Sequence, residues 1–136
     1  MKYSSFKIEK KISTYTSRNK SKNVETICYY LLKNRKNENI AQVRVDYYSS
    51  NEDEAELRDL HVEQKYRKNG LATRLMFYVI EKHGHQIIKL TPFDEEDLGI
   101  DLRTFYEKFG FVGEAGSEYM YRSPTKQKGK NNEDHS

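Results

Sequence analysis

The stretch from Leu57 to Ala72 constrains the fold more than any other part of the sequence. It begins with apolar residues typical of a strand, continues through a basic, polar run that contains Gly70, and opens onto an apolar helical pattern. Leu57, Leu60 and Val62 are spaced by three and then two residues, so one extra residue interrupts strict alternation. This spacing predicts a β-bulge, which bends a strand and frees main-chain groups for a ligand.

The turn after this strand has the chemistry of an anion site. Amides at the N-terminus of a helix lack intrahelical partners, and the helix dipole adds partial positive charge there. Arg67 and Lys68 add full positive charges, and Lys65 and Arg74 are further candidates for phosphate contacts. Gly70 is predicted to be required, because a Cβ at this position would obstruct the approach of a diphosphate to the backbone.

The composition fits one domain with an aromatic-rich core. The chain has 136 residues, of which 11 are Tyr and 6 are Phe, enough for one domain but short for two. We expect that domain over residues 1–122, followed by a disordered tail over 123–136 without apolar anchors. No export signal or membrane span is apparent. The single cysteine, Cys28, cannot form a disulfide within the chain and suits a reducing cytoplasm.

Hydrophobic periodicity predicts an α/β domain. A first helix is expected with Asn69 as N-cap, running to Lys82 and ending at Gly84, and a second with Asp101 as N-cap, terminated by Gly110. Exposure or a favourable contact with the helix dipole is expected for the two histidines that flank Gly84, His83 and His85. Strands are expected around Phe6–Ile12, Glu25–Lys33, Ile40–Tyr48, Leu57–Val62, Ile87–Thr91 and Tyr119–Arg122, with a polar loop over Thr14–Asn23.

Two motifs carry a family resemblance. Arg67-Lys68-Asn69-Gly70-Leu71-Ala72 resembles the acyl-CoA-binding signature of the Gcn5-related N-acetyltransferase (GNAT) family, and the run from Leu102 to Phe111, with an aromatic pair and a closing Gly-Phe, resembles its second signature. Both stand in the family's order with a strand between them, and the match covers residues 40 to 122. The resemblance implies a mixed, mostly antiparallel twisted sheet of six to seven strands with flanking helices, in which the fourth and fifth strands are splayed.

The resemblance also implies a reaction and a binding site. Members transfer an acetyl group from acetyl-CoA, a co-substrate, directly to a primary amine in a ternary complex. The acceptor is expected to be a small molecule or a peptide. The residues expected to bind the cofactor lie on the bent strand, the turn and the start of the helix: Leu60, His61, Val62, Arg67, Lys68, Asn69, Gly70, Leu71, Ala72 and Thr73.

Two residues fall where relatives place catalytic groups. Tyr106 is the expected general acid, because a phenol with an ordinary pKa of about 10 can donate to the departing thiolate; packing in the core is the competing interpretation. Glu56 is the first candidate for the base that deprotonates the amine, with Asp59 and His61 as substitutes, although it also ends an acidic run typical of a solvated loop. A main-chain amide near Val62 is expected to polarise the thioester carbonyl.

Departures from the family pattern keep a second interpretation open. Gly99 stands where many relatives carry an asparagine that contacts pantetheine, and Leu102 stands where alanine is common. Only the short polar segment from Tyr15 to Val24 is available to wall the acceptor pocket, and the acidic residues 94–97 are expected at its entrance. The alternative is therefore a catalytically weak or inert GNAT-like module that binds acyl-CoA or a macromolecular partner.

The charge distribution and the spacing of metal-ligating residues bear on two further functions, nucleic-acid binding and metal binding. Residues 1–24 are rich in Lys and Arg, which raises RNA binding as a third hypothesis, but no pattern of Arg with stacking aromatics accompanies them. Nucleic acid is therefore an unlikely partner. No metal-ligand spacing is present, so no metal is expected. A homodimer is compatible with the sequence, which does not fix the oligomeric state.

Overall fold

One seven-stranded mixed sheet organises the protein. This computed structural model describes residues 6–16, 23–92, 102–113 and 116–125. The strands are β1 (Lys7–Thr16), β2 (Val24–Lys33), β3 (Asn39–Tyr48), β4 (Asn51–Val62), β5 (Ile87–Leu90), β6 (Val112–Gly113) and β7 (Met120–Arg122). A 3₁₀ turn (Gln64–Tyr66) and helix α1 (Leu71–His83) follow β4, and helix α2 (Leu102–Glu107) follows β5. The strand order is β1-β2-β3-β4-β5-β7-β6, so the predicted sheet of six to seven strands is confirmed.

Strands β1 to β4 form an antiparallel meander. Ala41, Val43 and Val45 on β3 are buried, and Gln42 and Arg44 between them point to the opposite face of the sheet. Strands β2 and β3 therefore form an antiparallel hairpin with one face in the core. The loop predicted to begin at Thr14 begins later, because β1 continues to pair with β2 up to Thr16.

The predicted β-bulge is present in β4. Gln42 lies opposite His61 and Arg44 lies opposite Arg58, so β4 uses one more residue than β3 between these pairs. Asp59 has a φ of 54°, a left-handed conformation that L-residues other than glycine seldom adopt. The bulge thus bends β4 at the point where the sequence spacing indicates an extra residue.

Strands β4 and β5 are splayed, as predicted. They run parallel, connected through α1, but they pair only from Glu54 to Glu56 against Ile87 to Lys89. The rest of β4, from Leu57 to Val62, therefore has no strand partner on its β5 side among the described residues. Backbone groups on this side of β4 are left for another partner.

The helix boundaries differ from the predictions at three ends. The N-cap of α1 is Gly70, with a φ of 77°, and the predicted N-cap Asn69 is wrong, because its side chain instead donates to the carbonyls of Tyr66 and Arg67. Helix α1 continues one residue beyond the predicted Lys82. Helix α2 ends at Glu107 because tight i→i−3 hydrogen bonds close the next turn before Gly110. The predicted N-cap Asp101 lies outside the described residues.

Both helices contribute to one apolar core. Leu75, Met76 and Val79 of α1 are fully buried against the sheet. Leu102 and Tyr106 of α2 are buried in the same cluster. After β7 the chain stays attached at Thr125, whose amide donates to a carbonyl of the turn after α1. Strand β6, which the sequence analysis does not predict, extends the sheet by only two residues. No described helix is long and apolar enough to cross a membrane.

A buried polar chain runs through this core. His83 Nδ1 lies 2.9 Å from Gln86 Oε1, and His83 Nε2 lies 2.6 Å from the Tyr30 hydroxyl. The Gln86 amide donates to the carbonyl of Glu52, so its oxygen faces His83 and the imidazole must donate from Nδ1. In this tautomer, a neutral His83 accepts from the Tyr30 hydroxyl at Nε2. The predicted exposure of His83 is wrong, because α1 turns this side chain into the core.

This network predicts a loss of stability in acid. Burial lowers the pKa of His83 below its ordinary value of 6.5. The unfolded chain therefore binds a proton that the folded chain excludes, and the stabilisation, complete above pH 6.5, is lost as the pH falls towards the lower folded pKa. Urea unfolding between pH 8 and pH 5 should show the free energy of unfolding falling below pH 6.5, with a slope of at most about 1.4 kcal/mol per pH unit for this group. His83→Gln should flatten this slope and His85→Gln should not; equal slopes in all three proteins would contradict the assignment.

Candidate active site

A cleft of about 560 Å³ opens where β4 and β5 separate. Its walls are the far half of β4, the basic turn, the first residues of α1, the end of β5, and one side of α2. The lining residues are Glu56, Leu57, Arg58, Asp59, Leu60, His61, Val62, Tyr66, Arg67, Lys68, Gly70, Leu71, Ala72, Thr73, Leu90, Thr91, Leu102, Phe105, Tyr106, Glu118 and Tyr119. The bulged strand and the turn therefore share one concave surface.

The basic turn presents main-chain amides to this cleft. The first i→i−4 hydrogen bond of α1 runs from Arg74 N to Gly70 O, so the amides of Leu71, Ala72 and Thr73 precede the helical ladder. All three of these residues line the cleft. These amides, together with the positive end of the helix dipole, make the turn a site for an anion.

Gly70 has two properties that suit this role. Its φ of 77° is a conformation that side chains disfavour, and a Cβ built on it would meet no other atom of the protein within 4 Å. No protein atom therefore blocks this position, and because Gly70 lines the cleft, a ligand can approach its backbone closely.

Arg67 connects the turn to the end of the bulged strand. Its Nε donates to the carbonyl of Val62 at 2.8 Å. This hydrogen bond satisfies one carbonyl of β4 beyond its pairing with β5, and it holds the turn against the strand. The guanidinium still lines the cleft, so Arg67 both shapes the site and supplies positive charge to it.

The structure brings most of the predicted cofactor-binding residues together. Leu60, His61 and Val62, then Arg67, Lys68 and Gly70, and the first three residues of α1 all line the cleft. Asn69 does not line it, since its side chain closes the turn internally. Lys65 lies over the ring of Tyr66, 5.2 Å from its centroid. Arg74 also lies outside the lining, with its Nη2 donating to the carbonyl of Phe6 at 2.9 Å.

The predicted catalytic tyrosine lies on the opposite wall. Tyr106 is 6% exposed, and its ring packs edge-to-face against Phe105 and Phe111. It lines the cleft as well as the core. Tyr106 can therefore pack in the core and border the cleft at the same time, because the neighbouring aromatic rings hold its ring while one side of it lines the cleft.

The candidate bases lie on β4. Glu56 lines the cleft at the last residue that pairs with β5, and its Oε1 accepts from Arg58 Nη2 at 3.0 Å. Asp59 and His61 also line the cleft, with His61 Nε2 3.5 Å from a carboxylate oxygen of Glu63. Glu56 is thus part of the strand rather than of a solvated loop, and the acidic run before it is the first half of β4.

Comparison with known proteins identifies the family. The model of the acetyltransferase (GNAT) domain matches residues 25–113, which include the whole of the cleft except Glu118 and Tyr119. The chain belongs to the GNAT acetyltransferase family. This membership places it among the acyl-CoA-dependent N-acyltransferases, and no curated protein matches it by sequence.

Solved GNAT structures share the fold at low sequence identity. A GNAT acetyltransferase from Staphylococcus aureus Mu50 is 18% identical, with a TM-score of 0.57 over 73% of this chain and 68% of the other. An acyl-CoA N-acyltransferase from Pseudomonas aeruginosa is 16% identical, with a TM-score of 0.58 over 71% and 68%. The Escherichia coli protein YhbS, solved in complex with CoA, is 15% identical, with a TM-score of 0.55 over 70% of this chain and 57% of the other.

Some features of this GNAT site were missed by sequence reasoning. Arg58, Glu118 and Tyr119 line the cleft, and Arg58 lies between the two acidic candidates on β4. Arg58 could have been predicted from its place between these two candidates in the sequence. Glu118 and Tyr119, by contrast, reach the site only because β7 pairs with β5. Gly99 and the acidic residues 94–97 lie outside the described residues. Among the residues that are described, no group of His, Cys, Asp or Glu side chains is arranged to hold a metal ion.

The turn contains a second residue with positive φ, which generates a prediction. Lys68 has a φ of 67°, which costs a side chain of this type about 1 kcal/mol, and asparagine tolerates it better. Lys68→Asn should therefore raise the free energy of unfolding by about 0.5 kcal/mol, and it should weaken acyl-CoA binding through the lost charge. Lys65→Asn, at a neighbouring lysine without positive φ, should not stabilise the protein. Chemical denaturation and calorimetric titration measure both effects, and equal destabilisation by the two variants would refute the strain at Lys68.

Proposed function

We propose that this protein is an N-acetyltransferase that moves an acetyl group from acetyl-CoA directly to a primary amine in a ternary complex. One observation carries the proposal. A single cleft is lined by a basic turn with free helix amides, a bulged strand that separates from β5, a tyrosine and a glutamate.

One end of the cleft suits the diphosphate of coenzyme A, and the other end suits the acceptor amine. Glu56 and Val62 are separated by six residues of strand, a distance of roughly 20 Å along β4. Near Val62 the turn supplies Arg67, Lys68 and free helix amides, which favour the diphosphate of coenzyme A. The pantetheine arm would lie along the main chain of residues 60–62, and the relative YhbS, which was solved with CoA, supports this choice of cofactor.

The acceptor end is acidic. Glu56, Asp59 and Glu118 line the cleft away from the basic turn. Carboxylates attract a cationic amine, and Glu56 can then accept the proton that the amine must lose before it attacks. The acceptor we propose is therefore a small molecule or peptide that carries a primary ammonium group.

The proposed chemistry transfers one acetyl group and one proton overall. The neutral amine forms a bond to the thioester carbonyl carbon, the carbon–sulfur bond breaks, and sulfur leaves as a thiolate. Glu56 takes one proton from the ammonium group before the attack and releases it to solvent. Tyr106 donates a proton to the thiolate, and the proton that the nitrogen loses after the attack restores the tyrosine hydroxyl. A main-chain amide near Val62 would stabilise the oxygen while it carries negative charge.

An acyl-enzyme step through cysteine is not part of this proposal. Cys28 is 2% exposed, lies on β2 outside the cleft, and burial raises the pKa of its thiol, which disfavours the nucleophilic thiolate. Direct transfer needs no such group. A free, buried cysteine is also compatible with the reducing cytoplasm, which we propose as the compartment.

A catalytically weak or inert module that binds acyl-CoA or a partner is the second candidate. Two features of the sequence favour it: Gly99 stands where many relatives carry an asparagine that contacts pantetheine, and only a short segment from Tyr15 to Val24 is available to wall the acceptor pocket. The two functions differ in one measurable way. The inert module would bind acetyl-CoA saturably but release no CoA across a screen of polyamines, aminoglycosides, amino acids and peptides.

The proposed anion site predicts that one added methyl group at Gly70 weakens cofactor binding. Gly70→Ala should lower acetyl-CoA affinity at least about tenfold, because the added Cβ occupies the open space where the diphosphate approaches. Gly116→Ala is the matched control, since Gly116 has a similar φ of 82° and equally open surroundings outside the cleft. Both variants should lose about 1 kcal/mol of stability, measured by denaturation, and only the first should lose affinity, measured by calorimetry. Unchanged affinity in Gly70→Ala would exclude the turn as the phosphate site.

The general-acid role predicts a selective loss of turnover. Tyr106→Phe keeps the ring that packs against Phe105 and Phe111, so the fold and acetyl-CoA affinity should be retained. The value of kcat should fall about 100-fold, the scale of general acid catalysis, as measured by CoA release with a thiol reagent. Tyr121→Phe, on β7 outside the cleft, should leave kcat unchanged. Full turnover by Tyr106→Phe at every pH would remove the tyrosine from the mechanism.

A further inference from the structure

Four charged side chains on β3 and β4 form a square on one face of the sheet. Arg44 lies directly opposite Arg58, and Asp46 lies directly opposite Glu56. Each cross-strand pair is a row of like charge, Arg44 with Arg58 and Asp46 with Glu56. Opposite charges follow each other along each strand. Direct cross-strand pairs of like charge are destabilising, so this arrangement is less favourable than one with residues 56 and 58 exchanged.

Asp46 compensates for the unfavourable pairing. It is only 4% exposed, and it accepts two hydrogen bonds from Arg44, at 2.7 and 2.8 Å. Its Oδ2 also lies 3.5 Å from Arg58 Nε. One buried carboxylate thus holds both arginines, and it keeps them from repelling each other across the strands.

The square has one side in the cleft and one side outside it. Glu56 and Arg58 line the cleft, whereas Arg44 and Asp46 do not. Arg58 extends from Asp46 to Glu56, where its Nη2 donates to Oε1 at 3.0 Å. The second carboxylate oxygen of Glu56 has no hydrogen-bond partner among the described residues. The carboxylate is therefore held by one oxygen, and the other can receive a ligand.

We infer that Asp46 and Arg58 are positioning residues, which fix the Glu56 carboxylate in the cleft so that its second oxygen faces the acceptor amine. The inference rests on the proposed function, because it assigns Glu56 the role of the base. It explains why β3 and β4 keep two unfavourable rows: exchanging Glu56 and Arg58 would remove the repulsion but would also place an arginine where the base is needed. Neither Asp46 nor Arg58 needs to contact the reacting atoms.

The charges that face Glu56 come from three strands. Asp46 lies opposite it on β3, Lys89 lies opposite it on β5, and Glu54 and Arg58 flank it on β4. The ammonium of Lys89 lies 4.7 Å from the centroid of the Tyr119 ring. Replacing Asp46 by a neutral residue removes one negative charge from this set. Arg58 then loses one of its two carboxylate partners and keeps only Glu56.

Asp46→Asn tests the positioning role through kinetics. We expect kcat to fall about tenfold and the KM for acetyl-CoA to stay unchanged, because the base loses its fixed position while the basic turn is unaltered. Asp46→Glu should restore part of kcat. Glu9→Gln is the control, since Glu9 forms an ion pair with Lys33 at 3.2 Å on the same sheet but away from the cleft. A purely structural role would lower the melting temperature and leave kcat of the folded protein unchanged, and that result would overturn the inference.

The double variant Glu56→Arg/Arg58→Glu tests the arrangement without any assay of activity. It keeps the composition and net charge, and it turns both like-charge rows into opposite-charge rows. We expect its melting temperature to rise by about 2–6 °C; an unchanged or lower value would overturn the inference that the square is kept against stability. If the unmodified protein releases no CoA with any amine, the proposed function fails and the positioning role fails with it, whatever the melting temperature of the double variant. If the unmodified protein is active but Asp46→Asn behaves as Glu9→Gln does, only the positioning role fails.

Discussion

The separation of β4 from β5 after three paired residues is the constraint on which the site depends. In a continuous ladder, the backbone groups of β4 from Leu57 to Val62 would bond to β5, and no cleft would exist. The bulge at Asp59 bends the strand at this point, and Arg67 secures its end by bonding the carbonyl of Val62. A main-chain surface inside the protein is thereby exposed to a ligand without the rest of the sheet being disturbed.

The strain needed for this geometry is concentrated at the site. Asp59 and Lys68 adopt positive φ without being glycine, and both line the cleft. Such residues persist where the surrounding structure over-determines them, which is common at functional sites. The like-charge rows formed by Arg44, Asp46, Glu56 and Arg58 are a second local cost at the same place. The meander of β1 to β3 and the buried face of α1, by contrast, follow ordinary alternation and helical spacing.

The sequence predicts the elements that local chemistry determines. The bulge followed from the spacing of Leu57, Leu60 and Val62, and the turn that opens α1 followed from a glycine among basic residues. Contacts that depend on register could not be predicted, because a bulge of one residue changes which side chains face each other across β3 and β4. Arg58 and Asp46 therefore became visible only in the structure. The same holds for His83, whose partner Tyr30 lies 53 residues away in the chain.

Amide chemical shifts during an acetyl-CoA titration of isotope-labelled protein test the central claim most directly. If the separated strand and the turn bind the cofactor through their main chain, the largest changes will fall at residues 60–62 and 67–73, with saturation at one equivalent. Changes spread over β1 and β2, or saturable binding that leaves the amides of 67–73 unmoved, would contradict the account.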